Sequence, residues 1–505
     1  MRPTPEIGKM TPEQIMRKQP FRVPIPPNYV WGPIRNNKNL SVIPLENVKT
    51  VVRTQADFWC EFNVTSHMIN SIKYYPNSVF INQSEGKYQA KVRSRIAIGF
   101  QERIKTKRKT ALLGNNIGMK VIANRSKEKS EDILSRYREG WEMRNIEIAV
   151  DNAFDSDFIT GDCAVYFFMH DKKVDWRVFS YKDGDILYPH YHPMTGDIVL
   201  LGREYWSEDW DGKKTHYLDV VDTAQFSTYR QNDNGNWEME GKAIPHGFEE
   251  CPVSYHRRNT GPVWAASQPL IDGYELAISQ FAENNAAYAL RILYTLGGDM
   301  EVLANTDGTP ARIDSSDANA KVGFLEPAEG ADGAFASQLS IMEKNIMRGS
   351  FAVETPEIKS GADMSSLTVK MLFADSYLKA IEDSQEYQPF LDRIADLFRY
   401  GYGIETGKVT EYNEFVIKPW LDPYVFMSES DVVNALVQLT AAGVLSRQTA
   451  TEIAYDTGYG TASEWGRILQ EAHDELVNEQ KAQAQAQATQ PANPVNASRS
   501  QNQNQ

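Results

Sequence analysis

The sequence predicts an α+β protein in which an antiparallel sheet lies among helices, a two-helix stalk carries a small insert, and a long kinked helix follows. Three observations predict it. Cys163 to Met169 is a continuous apolar run rich in aromatic and β-branched residues, alternating Val174, Trp176 and Val178 and further short apolar runs to Tyr229 follow, and turn signals stand at Asp183-Gly184, Thr195-Gly196, Asp211-Gly212 and Asn234-Gly235. From Ser267 the period becomes helical, stops at Gly297-Gly298, and returns along Phe335, Leu339, Met342 and Ile346. A third apolar stripe runs through Leu367, Met371, Leu378, Ile381 and Tyr387, meets Pro389, and continues through Phe390, Leu391, Ile394 and Phe398.

Bulk properties limit what such a chain can do. With 505 residues, 41% hydrophobic and 24% charged, it has the composition and length for about two to four domains with packed cores. Lys and Arg total 53 against 67 Asp and Glu, a formal charge of −14, which opposes wrapping of nucleic acid by the whole surface and confines any polyanion contact to a local patch. Cys60, Cys163 and Cys251 form no CxxC pair and read as reduced, buried small hydrophobes. The first residues hold no apolar signal core and no stretch approaches a membrane span, so neither export by a cleaved signal nor a membrane partner is expected.

The elements follow in order. Pro20, Pro24, Pro26, Pro27 and Pro33 make the N-terminal part an extended arm, of the kind that straps onto a neighbour, with helical spacing only beyond Leu45. A helix is expected from Tyr88 to Leu113. It carries Arg103, Lys105, Lys107, Arg108 and Lys109, which read either as a phosphate-facing patch or as a solvated basic face, since no aromatic residues interleave for stacking. Met119 to Ala123 reads as a strand, and Ser130 to Phe154 as one amphipathic helix.

Within the meander, His190 and His192 share one strand face, the geometry of half a metal site, but no third ligand has matching spacing and an exposed turn accounts for them as well. Asp183, Asp185 and Asp197 fit turn positions, with a carboxylate acid/base pair as the alternative.

Ser267 is a plausible N-cap for a helix of about thirty residues reaching Leu296, on the order of 45 Å long. In the insert, Glu301 to Leu303 and Ala311 to Ile313 flank Asp307-Gly308 as a hairpin, and Val322 to Leu325 supply a third strand; so small a sheet needs a neighbour to be stable. Glu354 to Ser365 has the composition of a loop. Further on, Gly443 stops a helix from Ser430, Ser446 caps the next, and a helix containing Trp465, Ile468, Leu469 and His473 follows, with His473 a surface or packing residue. Lys481 to Gln505, alternating Gln, Ala and Asn, is expected to be disordered.

Four local patterns, in this order and with these elements, resemble the portal proteins of tailed double-stranded DNA bacteriophages over roughly Ser94 to Glu475. They are ALLGNNIGMKV (Ala111 to Val121), GDCAVYFF (Gly161 to Phe168), SQPLIDGYELAISQFAENNA (Ser267 to Ala286) and AAGVLSRQTATEIA (Ala441 to Ala454). The resemblance implies a portal-type subunit with a mixed wing (86–266), stem helices (267–296 and 334–350), a small α/β clip (297–333), a tunnel loop (351–366), a kinked helix returning to the wing (367–426), a helical crown (427–478) and a disordered tail (479–505). The arm at 1–85 departs from the family.

It also implies a homo-oligomeric ring, generally of twelve subunits, at one capsid vertex of a virion assembled in the host cytoplasm. The ring's partners would be double-stranded DNA in the channel, a terminase packaging motor, a head-tail adaptor, and major capsid and scaffolding proteins, with no cofactor. The loop would bring Glu354, Glu357, Lys359 and Asp363 to the DNA. No P-loop, GxGxxG, HExxH or GxSxG is present, so the chain reads as non-enzymatic and ATP hydrolysis falls to a partner motor. The alternatives are another head-tail adaptor ring, or a hydrolase acting through carboxylates such as Asp185.

Overall fold

A computed structural model describes residues 10–17, 53–82, 87–122, 127–289, 292–296, 300–304, 310–315, 321–325, 331–352, 366–424, 436–447, 449–451, 468–470 and 473. The chain divides into two units, Met1–Ala362 with Leu372–Val425, and Asp363–Met371 with Phe426–Gln505.

The larger unit begins with α1 (Pro12–Ile15) and α2 (Gln55–Phe62), then two 3-10 turns, Val64–Ser66 and Met68–Asn70. An antiparallel ribbon, β1 (Ser78–Asn82) with β2 (Lys87–Lys91), precedes α3 (Phe100–Leu113). Apolar spacing does not separate a short strand from a helix turn, so the helix expected from Tyr88 starts only at Phe100. β3 (Gly118–Ile122) pairs antiparallel with the distant β17 (Val416–Trp420). The single helix expected over Ser130 to Phe154 is two, α4 (Lys127–Met143) and α5 (Ile146–Thr160), broken where Asn145 takes φ 52, a left-handed conformation that Asn tolerates.

The sheets follow the hairpin signals. β4 (Asp162–His170) pairs with β5 (Lys173–Phe179) and with β12 (Val253–Arg257). β6 (Ile186–Tyr191), β7 (Ile198–Glu208), β8 (Lys214–Val221), β9 (Gln225–Gln231) and β10 (Trp237–Met239) make the antiparallel meander, with β11 (Ile244–Pro245) also on β9. Gly184, Gly196, Gly212 and Gly235 all take positive φ at the four turn signals, where a side chain would strain the backbone.

The stalk is α6 (Gln268–Ala289), a tip of short strands, and α7 (Ala331–Gly349). The expected helix to Leu296 ends at Ala289, and Ile292–Leu296 is instead β13, paired with β16 (Lys321–Leu325). The expected hairpin is present as β14 (Met300–Ala304) with β15 (Pro310–Ser315). Residues 322–325 thus pair with β13, the strand that helical spacing concealed, and not with the hairpin. α8 (Ser366–Thr406) contains Pro389, which cannot donate to the carbonyl of Gln385 and so interrupts the ladder; α9 (Val409–Asn413) leads to β17.

The main core joins α3, α4, α5, β4 and the second half of α8. Tyr137 and Trp141 of α4 meet Phe398 of α8 edge-on at ring-centroid distances of 5.3 and 5.6 Å. Gly140 lets the helices approach, since a Cβ there would lie 2.6 Å from the Tyr402 ring. Cys163 and Cys251 are buried as expected, but Cys60 is exposed, because it lies on the outer face of α2 while Phe58 of the same helix is buried. In the smaller unit, Gly443 takes φ 70 and the hydroxyl of Ser446 accepts from Thr449 N–H at 3.0 Å, the stop and cap the sequence predicts. Residues 353–365, most of the arm and the tail at 479–505 lie outside the described residues.

Candidate functional site at the root of the stalk

The two stalk helices meet the body at Ser267 and Ser350. Ser267 precedes α6, yet its hydroxyl does not cap that helix; it donates across the stalk to the Ile346 carbonyl at 3.0 Å and accepts from the Ser350 hydroxyl at 2.6 Å. Gly349 faces this crossing, and a Cβ on it would come within 3.2 Å of the Ser267 hydroxyl. Further out, Phe281 and Phe335 stack at 4.7 Å, so the stripe begun by Phe335 does face α6. Beyond Ser350 the backbone turns sharply at Phe351, with φ 56, and Ala352 is buried again.

A buried ionic cluster fixes this turn to α8. Arg108 of α3 donates through Nη1 to the Ser350 carbonyl at 3.2 Å and pairs through Nη2 with Asp383. Arg258 donates to the other Asp383 oxygen at 3.1 Å, and Lys379 lies 3.4 Å away. Burial by itself raises the Asp383 pKa, but Arg258 and Arg108 outweigh it and hold the carboxyl below its ordinary range. Next to it, Tyr387 donates to Asp157, which also accepts from His256 Nδ1 at 3.2 Å. The segments on either side of residues 353–365 are thus tied to one guanidinium.

α6 also carries a polar ladder at helical spacing. Glu275 accepts from His67 Nδ1 at 2.6 Å and from Ile98 N–H at 2.8 Å; Ser279 accepts from Ile96 N–H at 2.9 Å; Glu283 accepts from the Tyr75 hydroxyl at 3.1 Å. These bonds strap the segment between α2 and α3 along one helix face. One turn earlier, Asp272 accepts from Gln268 Nε2 at 2.9 Å, and burial together with the neighbouring Glu275 pushes its carboxyl up to about 8.

The basic run on α3 is distributed among carboxylates. Lys105 lies 3.0 Å from Asp155, Lys109 lies 2.9 Å from Asp151 and 3.5 Å from Asp155, Arg103 lies 3.5 Å from Glu343, and Arg108 is buried against Asp383. Lys107 faces solvent. The five cations therefore do not share one face: a helix places successive residues about 100° apart, and three of its flanks meet other helices.

Glu354, Glu357, Lys359 and Asp363 lie outside the described residues. His190 and His192 are separated in role: His190 Nε2 donates to the Ile15 carbonyl at 3.0 Å, while His192 Nδ1 accepts from Thr195 N–H at 3.3 Å inside a turn. Among the described residues no group of three or more His, Cys, Asp or Glu is placed to hold a metal ion. Asp185 is buried and engaged by Arg203 Nε at 2.8 Å, whose Nη1 reaches Asp219 at 3.0 Å; Asp183 accepts from Ser180 at 3.0 Å, and Asp197 lies in the exposed turn beyond. This is a structural ion-pair triad across the meander. Sequence reasoning missed the pairing of Arg108 with Asp383 and, separately, the carboxylates Asp272 and Glu275 of α6; a buried charge at an apolar-phase position of a helix, as Asp383 is, was the available signal.

A helix-and-sheet body, a two-helix stalk tipped by short strands, and a long proline-containing helix define a portal-type structural subunit. The chain belongs to the phage portal protein family of the SPP1 Gp6-like type, whose model matches residues 63–475. That match starts before Ser94, where the resemblance read from the sequence begins, and leaves α1 and α2 outside it. Two similar solved structures are the neck of an empty GTA particle computed with C6 symmetry, at 12% identity and TM-score 0.36 over 72% of this chain and 90% of that one, and the neck of a native GTA particle computed with C12 symmetry, at 12% identity and TM-score 0.37 over 70% and 89%. No curated protein sequence matches the chain. The family is a structural one, and among the described residues no helix is long and apolar enough to cross a membrane.

Proposed function

We propose that this chain is the repeating subunit of a homo-oligomeric portal ring, of about twelve copies, at one capsid vertex, and that double-stranded DNA passes through the ring's channel during packaging and ejection. The observation that carries this reading is the family match over residues 63–475, which includes the whole stalk and the helices on either side of it. In this reading the terminase motor and the head-tail adaptor dock on the ring, the capsid and scaffolding proteins surround it, and the ring becomes part of the virion. The formal charge of −14 suits a channel through which DNA slides, because each neutralised phosphate would strengthen binding through counterion release.

Residues 351–366 act as the tunnel loop, and one Lys359 per subunit, beside Glu354, Glu357 and Asp363, forms a collar of alternating charge that meets phosphates without reading bases. A packaging assay tests the reading. Proheads assembled without this chain take up no DNA, and proheads that fill normally without it contradict the proposal.

A further inference from the structure

The meander has two apolar faces with different covers. Leu187, Leu201 and Val221 turn toward Tyr166 and Phe179 of the neighbouring sheet. Tyr188, Leu200, Leu218 and Val220 point the other way, and among the described residues the side chain buried against them is that of Ile15, from the short α1. Ile15 is 2% exposed although its element is only four residues long.

A socket in the sheet accounts for that burial. Tyr188, Gly202 and Val220 are in register across β6, β7 and β8, so on this face a row of side chains has a gap at its centre. Glycine inside a central strand weakens it and marks a place where another group comes close. Here that group is Ile15: a Cβ on Gly202 would lie 2.6 Å from its Cγ2 atom. His190 Nε2 donates to the Ile15 carbonyl at 3.0 Å, satisfying an acceptor that the end of the helical turn leaves open. At the other end the Thr11 N–H donates to the Gln14 side chain at 3.0 Å, and Pro12 occupies the first turn. The sheet therefore provides a shaped hole and a donor, and the segment provides a branched aliphatic plug on a pre-set turn.

The segment is joined to the rest of the body only through residues 18–52, and it lies outside the span that the family model matches. Ile15, the half-buried Met10 and Met16 packed beside it, and one hydrogen bond to the sheet hold about seven ordered residues. The apolar surface these side chains bury exceeds the entropy lost in ordering the segment by a modest margin, so the docked segment is favoured yet exchangeable. We propose that the Gly202 socket is a peptide-binding site whose ligand is the segment Met10 to Met16, and that an identical segment from another copy of this chain can replace the one docked. This site does not depend on the ring reading.

The test uses the full-length chain and a labelled synthetic peptide of residues 10–17. The Ile15→Ala chain, with its own plug removed, binds the peptide saturably. The unsubstituted chain, whose own segment competes, binds it at least tenfold more weakly, as does the Ile15→Ala/Gly202→Val chain with its socket filled. Equal binding to all three, or none to the Ile15→Ala chain while its near-ultraviolet circular dichroism is unchanged, overturns the proposal. Trypsin cleavage after Arg17 gives a second measurement that does not involve Gly202. Ile15→Ala speeds it at least fivefold if the segment is held by its plug, and an unchanged rate overturns the proposal.

Discussion

Arg108 holds the carbonyl of Ser350 at 3.2 Å with one arm of its guanidinium while the other arm pairs with Asp383. The end of the stalk and the long helix α8 are thereby joined through a single buried side chain of α3. Removing one partner of a buried pair leaves an uncompensated charge, which costs far more than losing an exposed pair. Arg108→Ala is therefore expected to destabilise the chain by about 3 kcal/mol, whereas Arg103→Ala, at an exposed pair with Glu343, costs about 0.5 kcal/mol or less. Denaturant unfolding of both variants checks this, and equal costs contradict it.

The pH dependence of the stalk follows from Asp272. Its folded pKa of about 8 lies well above the ordinary carboxylate value of about 4, so the folded state keeps a proton that the unfolded chain loses. The stability this proton contributes is complete below about pH 4 and is lost as pH rises toward about 8. Asp272→Asn keeps the hydrogen bond from Gln268 and removes the titration. Melting temperatures between pH 5 and 8 should fall less steeply for that variant than for the natural chain, and parallel curves would show that Asp272 is not protonated in the folded state.

Asp155 has the opposite sign. Burial raises its pKa, but Lys182, Lys105 and Lys109 prevail and bring it down to about 2. The stability it contributes is present above about pH 4 and disappears as pH falls toward 2. Lys105→Ala should weaken the chain at pH 7 by about 1 kcal/mol and flatten the acid limb, while Lys107→Ala, at a solvent-facing position, stays within about 0.5 kcal/mol. Acid titration of melting temperature separates the two, and a flattened limb in the Lys107 variant would contradict the assignment.

Local chemistry was readable and distant pairing was not. Asp183-Gly184 and Asn234-Gly235 announce their turns because positive φ is a property of the residues themselves. Ser446 and Gly443 announce a cap and a stop for the same reason. Residues 292–296 read as helix because Ile292 and Leu296 keep helical spacing, and only pairing with Lys321–Leu325 makes them a strand. The root cluster depends on Arg108 meeting Asp383 across 275 positions of sequence, which no periodicity encodes. In the same way, the basic run on α3 has a plain composition but acquires its roles from Asp151, Asp155, Glu343 and Asp383, residues of other helices.

If residues 351–366 line the channel, charge reversal there acts on DNA and not on folding. Lys359→Glu turns an alternating collar into a wholly acidic one in every subunit. Particles carrying it are expected to assemble normally and to package shorter DNA. Packaged length measured by gel electrophoresis checks this, and full-length DNA removes Lys359 from the mechanism.

The ring itself is the central claim, and electron microscopy of the purified full-length chain tests it most directly. Closed rings with a central channel, of about twelve copies, are the predicted result. A chain that stays monomeric at high concentration would contradict the portal reading.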